Sequence, residues 1–475
     1  MLYAIRALSP VQASLVGLVF GSVLYAGAYY WIVHLLRQFA DLSPAASGAG
    51  LLALSVYHGA MIAVVVYLVR RAELRLGLKP IWTLPIAYTA LELVYPQLFP
   101  ANYGAALYRV SALTQIVEVT GVLGLTAFVA LVNGAGWEVI DARTSRRPLV
   151  ARRLLCAGAI ALAITVYGVV RLPMIDAQIA AAPKLKVALI QTNMGAREKL
   201  ERRDDFIARH QEMSRQAVER NPDVALVVWP ESAYNRTVAR GMTNVAHVTG
   251  RPPVPVVFGA ITFEGAPPNR RFYNSALVAE PSGHVAARFD KVRLVAFSET
   301  LPSIATSVGI DKLIAQHIPR ADVFAHGATF EHLRAAGTVM LPTICYEATL
   351  PGFVRDLWRR AGPAEVLLNL TNDSWFGDSR EPTIHLALAT FRSIETRRAL
   401  IRSTNTGISA LIDPAGRIYQ RTGQWTREAL IGEVPLIKLG TSPVYQRIGD
   451  VFGWVCVGLV ALGWIASATS RRGEA

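Results

Sequence analysis

Three residues at the ends of apolar runs carry the chemistry open to this sequence: Glu231 after Leu226-Val-Val-Trp-Pro230, Lys291 after Ala287-Arg-Phe-Asp290, and Cys345 after Leu341-Pro-Thr-Ile344. A thiol that ends a buried strand is held rigidly while its sulfur faces a cavity. At neutral pH it needs a base, because a free cysteine of pKa ~8.5 is mostly protonated. A carboxylate serves as that base if burial raises its own pKa. The tetrahedral intermediate of acyl transfer then needs a cation or an N–H for its oxygen, which a lysine and the backbone N–H of Tyr346 can supply. Losing one such donor costs about 2.7–4 kcal/mol. Taken singly, each residue has an ordinary reading: a buried cysteine packs as a small hydrophobe, and a lone Glu or Lys belongs to a solvated face or an ion pair. Their order and shared setting are what distinguish them. The chain has 3 cysteines. Cys156 and Cys456 lie in long apolar segments, so Cys345 is the one thiol in the water-soluble part, with no disulfide partner there.

The 475 residues are 52% hydrophobic and 17% charged, with a mean hydropathy of +0.33. An ordinary soluble domain carries about a quarter charged residues. The excess is packed into the first third and the last stretch of the chain, while the middle reads as a soluble domain. Length allows two to three domains. A net charge of +14 could suggest nucleic acid, but the Lys and Arg residues cluster beside apolar spans and on solvated helices. A basic membrane protein is the better account, with no nucleic-acid partner.

Apolar spans are expected at about 12–33, 51–69, 81–99, 112–133, 154–172 and 449–468, each near the ~20 residues that cross a bilayer. This divides the chain into a transmembrane domain over 1–175 with about five spans, a soluble domain over 184–440, and a C-terminal transmembrane helix over 447–470. The first span is too long for a signal peptide and no cleavage-like site closes it. Arg70, Arg71, Arg75 and Lys79 lie between spans two and three. Arg143, Arg146, Arg147, Arg152 and Arg153 lie between spans four and five, and Arg471 and Arg472 follow the last. The positive-inside rule puts these loops in the cytoplasm and residues 173–446 outside it. Glu92 and Glu118 fall in or near spans three and four, where a carboxyl marks a cavity, a partner or a wet interface. The Tyr95-to-Gly104 stretch, with Pro96 and Pro100, breaks helix geometry at the outer face.

The middle alternates strand-like and helix-like runs. Strands are expected at 185–191, 225–229, 254–262, 273–279, 285–289, 339–345, 365–370, 400–403, 408–412 and 417–419, and helices at 198–220 and about 381–399. Hairpin turns fall at Pro281-Ser-Gly283 and Asp413-Pro-Ala-Gly416. The pattern is that of an α/β domain with covered sheets. The 9 histidines are scattered singly, without ligand spacing, and no phosphate-cradling Gly-rich loop occurs. The chemistry needs neither a metal nor a nucleotide, and no cofactor is expected.

Four segments carry a family resemblance: Trp229-Pro-Glu-Ser232, Phe289–Glu299, Ile344-Cys-Tyr-Glu347 and Asn372–Ser379. They resemble the carbon–nitrogen hydrolase (nitrilase) superfamily and its Glu-Lys-Cys triad. With the flanking spans, Gln191-Thr-Asn-Met194 and the stretch 391–418, the chain is similar to the apolipoprotein N-acyltransferase family over its whole length. The resemblance implies a multi-pass α-helical membrane domain plus an αββα nitrilase-like sandwich on the periplasmic side of a bacterial inner membrane. It further implies that Cys345 attacks the sn-1 ester of a phospholipid, commonly phosphatidylethanolamine, to form a thioester. The acyl chain then passes to the α-amino group of an apolipoprotein's diacylglyceryl-cysteine. Glu231 would be the general base and Lys291 the oxyanion stabiliser, with supporting places for Glu299, Tyr346, Glu347 and Trp375.

Three departures stand out. The family usually carries two more spans before the segment at 12–33, so a later start codon or a shorter branch is expected. Ala296-Phe-Ser-Glu299 stands where Pro-Phe-Gly-Glu is common. Leu200 replaces a frequent tryptophan. Two other readings compete: a membrane-tethered nitrilase-type amidase acting on a small C–N substrate, and a non-catalytic lipid- or lipoprotein-binding module. The multiple spans argue against the first and the complete Glu-Lys-Cys set against the second.

Overall fold

A computed structural model describes residues 1–146, 148–195, 198, 203–296, 298–300, 324–438, 440 and 442–469. Arg147, Leu200, Phe297, Arg471 and Arg472, which enter the readings above, lie outside the described residues. The chain forms two compact units, one running to Pro173 and resuming at Arg447, the other comprising Met174–Gln446.

The first unit is helical: α1 (Pro10–Ala28), α2 (Pro44–Leu76), α3 (Pro80–Val94), α4 (Val122–Thr144), α5 (Ala151–Ala181, which runs on into the second unit) and the C-terminal helix Val451–Thr469. All but α3 are long and apolar enough to cross a membrane, five helices among the described residues. The expected span at 81–99 differs. Its helix has 15 residues, about 22 Å, and stops before Pro96, which cannot continue it. Non-helical chain completes its length. α3 starts just beyond Leu76 at one end of α2, and Tyr95 lies against Tyr57 with ring centroids 5.3 Å apart, about 28 Å of helix away from Leu76.

Carbonyls in the irregular stretch find side-chain donors. Tyr57 Oη donates to Pro96 O, and Tyr29 Oη donates to Phe99 O at 3.0 Å. The expected span at 112–133 also starts late: two short turns (Ser111–Thr114 and Val117–Thr120) precede α4, which runs on to Thr144. Both carboxyls have partners. Glu92 accepts from Asn102 Nδ2 at 2.7 Å, Tyr103 N at 3.1 Å and Thr126 Oγ1 at 2.9 Å. Glu118 pairs with Arg171 of α5 at 2.6 Å.

The second unit holds two sheets. Its strands are β1 (Lys184–Gln191), β2 (Leu226–Val228), β3 (Tyr234–Ala239), β4 (Val256–Glu264), β5 (Arg271–Ala279), β6 (Val285–Asp290), β7 (Leu333–Ala335), β8 (Thr338–Ile344), β9 (Val366–Thr371), β10 (Ala399–Thr404), β11 (Ala410–Ile412), β12 (Ile418–Arg421) and β13 (Glu428–Pro435). One sheet runs β13-β1-β2-β4-β5-β6 with β3 beside β4, and the other runs β12-β11-β10-β9-β8-β7.

Alternation along β1 shows the layering. Val187 and Leu189 enter a core shared with β8, β9 and β10 of the other sheet, while Ala188 and Ile190 face outward to pack with Met213 and Ala217 of helix α6 (Arg203–Arg220). The period of two places successive side chains on opposite faces. Helices α7 (Pro351–Ala361) and α8 (Glu381–Thr396) pack on the second sheet through Phe353, Leu357, Leu386 and Ala389. The αββα arrangement expected for the middle of the chain is the observed one. Strands β3, β7 and β13 and helix α7 were not foreseen. β13 closes the first sheet by pairing antiparallel with β1, Lys184 opposite Pro435.

Candidate active site

The site forms where strands of both sheets run out. Glu231 follows β2, Lys291 follows β6 and Cys345 follows β8. The first two belong to one sheet and the third to the other, so the pocket depends on the sandwich and not on either layer alone. All three are buried. Lys291 Nζ lies 2.9 Å from the Glu299 carboxylate and 3.5 Å from Glu231 Oε1. Asn274 on β5 donates through Nδ2 to both, at 2.7 Å to Glu231 Oε1 and 3.0 Å to Glu299 Oε1. One amide thus bridges two carboxylates that share one ammonium. Glu231 Oε2 is buried and accepts no hydrogen bond. Backbone crowding fixes Glu231: a Cβ on Gly259 would meet Glu231 Cα and Ser232 N at 2.6 Å, so the strand beside this turn must carry glycine.

Cys345 begins a short 3₁₀ turn, Cys345–Thr349, with φ 51°, in the left-handed region that side chains other than glycine rarely adopt. Burial raises its thiol pKa, Glu231 raises it further and Lys291 pulls it down; the net shift is upward. For Lys291, burial opposes the charge, but Glu299, Glu231 and Cys345 more than offset it, and the ammonium is held above its ordinary range. Glu347 joins the two halves of the site. Its Oε1 accepts from Val292 N at 2.7 Å and Arg293 N at 2.8 Å, and its Oε2 from Ile344 N at 2.8 Å. This carboxylate therefore ties the segment after Lys291 to the residue before Cys345. Burial pushes its pKa up to about 7, against the pull of those backbone donors.

A second buried cluster lies against the Cys345 backbone. The Cys345 carbonyl accepts from Asn369 Nδ2 at 3.4 Å on β9 and lies 3.3 Å from His385 Nε2 on α8. His385 Nδ1 is 2.9 Å from Asp373 Oδ1. Arg402 on β10 donates to Asn369 Oδ1 at 2.5 Å and to Asp373 Oδ2 at 3.2 Å. A Cβ on Gly407 would strike Asp373 Oδ2 at 2.1 Å, so that position also requires glycine. Burial alone would raise the Asp373 carboxyl, but His385 and Arg402 pull its pKa below the ordinary value. Burial and Arg402 lower the His385 pKa, against Asp373 and the Cys345 carbonyl. The Asp373 carboxylate faces one ring nitrogen and the Cys345 carbonyl the other.

The structure thus brings Glu231, Lys291 and Glu299 into one hydrogen-bonded group with Asn274, and Glu347 braces the backbone on either side of it. Tyr346 follows Cys345, half-buried against the shared core, and burial pushes its phenol up to about 12. Trp375 is half-buried in the turn Asp373–Phe376, away from the bridged carboxylates in sequence and joined to the site through Asp373. Sequence reasoning missed Asn274, Asn369, Asp373, His385 and Arg402. Asp373 carried a signal by lying inside the Asn372–Ser379 segment, and Arg402 by lying inside the 391–418 stretch.

Residues 186–443 match the carbon–nitrogen hydrolase family, and residues 1–135 match the apolipoprotein N-acyltransferase N-terminal domain. The apolipoprotein N-acyltransferase of Geobacter metallireducens is 33% identical over 99% of this chain and 90% of that protein. The enzyme of the same name from Rhodopseudomonas palustris is 30% identical over 95% and 85%. Among solved structures, Saccharomyces cerevisiae Nit3, of the nitrilase superfamily, aligns with 53% of this chain and 90% of its own at 18% identity and a TM-score of 0.41. Matched along both its helical and its sheet unit, the chain belongs to the apolipoprotein N-acyltransferase family within the carbon–nitrogen hydrolases.

Proposed function

We propose that this protein moves an acyl chain from a phospholipid, through a thioester on Cys345, to the α-amino group of an apolipoprotein's N-terminal diacylglyceryl-cysteine. The observation that carries this reading is the division of labour at Glu231. Its Oε1 is committed to Asn274 and Lys291, while its buried Oε2 is unpartnered and available for a proton. In the first half-reaction Glu231 takes the Cys345 thiol proton and the sulfur attacks the sn-1 ester carbonyl. An ammonium has three N–H donors. Two on Lys291 face Glu299 and Glu231, which leaves the third, with the Tyr346 backbone N–H, for the oxyanion. The intermediate collapses to the thioester, and the leaving lysophospholipid alkoxide takes the proton from Glu231. In the second half-reaction the lipoprotein amine attacks the thioester, its proton passes through Glu231 to the departing thiolate, and an amide remains.

Apolar spans on both sides of the sheet unit keep the thiol tethered to a membrane, which suits a lipid donor and a lipidated acceptor. Phosphatidylethanolamine of a bacterial inner membrane is the proposed donor, and residues 184–440 are proposed to face the periplasm. Two experiments test this. Purified protein in detergent, given phosphatidylethanolamine and a diacylglyceryl-cysteine peptide, should yield the N-acylated peptide and lysophospholipid in equal amounts. Free fatty acid with an unmodified peptide would instead make the protein a lipid hydrolase. A cysteine-accessibility map should label sites within 184–440 from outside the cytoplasm, and labelling only from the cytoplasmic side would reverse the topology.

A further inference from the structure

We propose that His385, with Asn369, Asp373 and Arg402, positions the oxyanion donor of this site by holding the carbonyl of Cys345. The proposal rests on the reading of Cys345 as nucleophile. The Cys345 carbonyl and the Tyr346 N–H belong to one planar, trans unit, so they point in opposite directions. Fixing one fixes the other.

The carbonyl lies 3.3 Å from His385 Nε2 and accepts from Asn369 Nδ2 at 3.4 Å, both supplied by the second sheet and its helix. The Tyr346 N–H is therefore turned away from that layer, toward the side on which the first sheet brings Lys291 and Glu231. The unit needs holding, because Cys345 has φ 51°, a conformation that persists only when its surroundings enforce it. The anchors are themselves anchored. Asp373 holds His385 at 2.9 Å, and Arg402 bridges Asn369 and Asp373. All four side chains are at most 4% exposed, and their contacts to the nucleophile segment run to its backbone carbonyl and not to its sulfur. They act through the Cys345–Tyr346 peptide and are positioning residues.

The test separates two reactions of one sulfur. Acylation by a phospholipid passes through an oxyanion, whereas alkylation by iodoacetamide displaces iodide and forms none. His385→Leu removes the contact to the carbonyl. His385→Gln restores an N–H at about the place of Nε2. The wild-type protein, given phosphatidylethanolamine in detergent, is first checked by intact mass for an acyl adduct that Cys345→Ala lacks. If that adduct is absent, the nucleophile reading fails, independently of this proposal. With the adduct established, His385→Leu should acylate ~100-fold more slowly, the order expected for loss of one oxyanion donor. Its Cys345 alkylation rate should stay within about twofold of wild type at the same pH. His385→Gln should recover most of the acylation rate. Equal loss of acylation and alkylation in His385→Leu would assign the cluster to the thiol or to the fold and overturn the proposal. Unchanged acylation in His385→Leu, or a His385→Gln variant as slow as His385→Leu, would overturn it too.

Discussion

On one side of Cys345 two carboxylates, Glu231 and Glu299, share the ammonium of Lys291. On the other, a single carboxylate, Asp373, lies between the guanidinium of Arg402 and the imidazole of His385. The first cluster has acceptors to spare and keeps an unpartnered carboxylate oxygen. It can accept one more hydrogen bond. The second has donors to spare and spends them on a backbone carbonyl. It is arranged to hold a shape. Burial is nearly equal in the two, so what separates them is the ratio of acid to base and the kind of atom each presents to Cys345. Buried charge is tolerated in both because every carboxylate lies beside a cation; removing one partner of such a pair typically costs 3–5 kcal/mol.

The comparison can be broken at several points, beginning with the largest effect. Cys345→Ala and Cys345→Ser should each abolish transfer, followed as N-acyl peptide by mass spectrometry; a near-wild-type rate in either would remove the thioester. Glu231→Gln should slow acylation by about 10²–10⁴ through loss of the base. The same variant should speed alkylation of Cys345 at a fixed neutral pH. Glu231 raises the thiol pKa, so its removal lowers that pKa and increases the thiolate fraction. Opposite movements of the two rates are the signature to look for. Lys291→Ala should slow acyl-enzyme formation about 10²–10³-fold, and here alkylation should also slow, since Lys291 pulls the thiol pKa down. Normal thioester accumulation in this variant would end the oxyanion role. The smallest effect on chemistry is expected from Leu357→Ala, which empties a fully buried site in the shared core. It should cost about 2–5 kcal/mol of stability, read as a lower melting temperature, with the turnover of folded protein unchanged.

The first cluster was far more legible in the sequence than the second, for a physical reason. Glu231, Lys291 and Cys345 each end an apolar run, and a polar residue at the end of a buried strand is visible in the local pattern alone. His385 and Arg402 sit within a helix and a strand whose neighbours are also buried. Their partners are 40 and 29 positions away, and neither periodicity nor composition reports such a pairing. Asn274 is hidden likewise, inside β5 with its carboxylate partners 43 and 25 positions away.

The fold shows the same division. The alternation of covered strands and helices was readable because strands and amphipathic helices declare themselves locally, while the αββα layering followed from the family resemblance. β13 was not, since it is half-exposed along its first half and earns its place by pairing with β1 at the far end of the unit. In the helical unit the prolines after Val94 marked a break, but the length of α3 depends on tyrosine hydroxyls that reach the freed carbonyls from other helices.

The most direct measurement is intact mass spectrometry of the purified protein, first with phosphatidylethanolamine alone and then with the diacylglyceryl-cysteine peptide added. The protein should gain the mass of one acyl chain, mapped to Cys345, and lose it as the peptide gains the same mass. A protein that acylates the peptide without ever carrying the chain on Cys345 would contradict the thioester route.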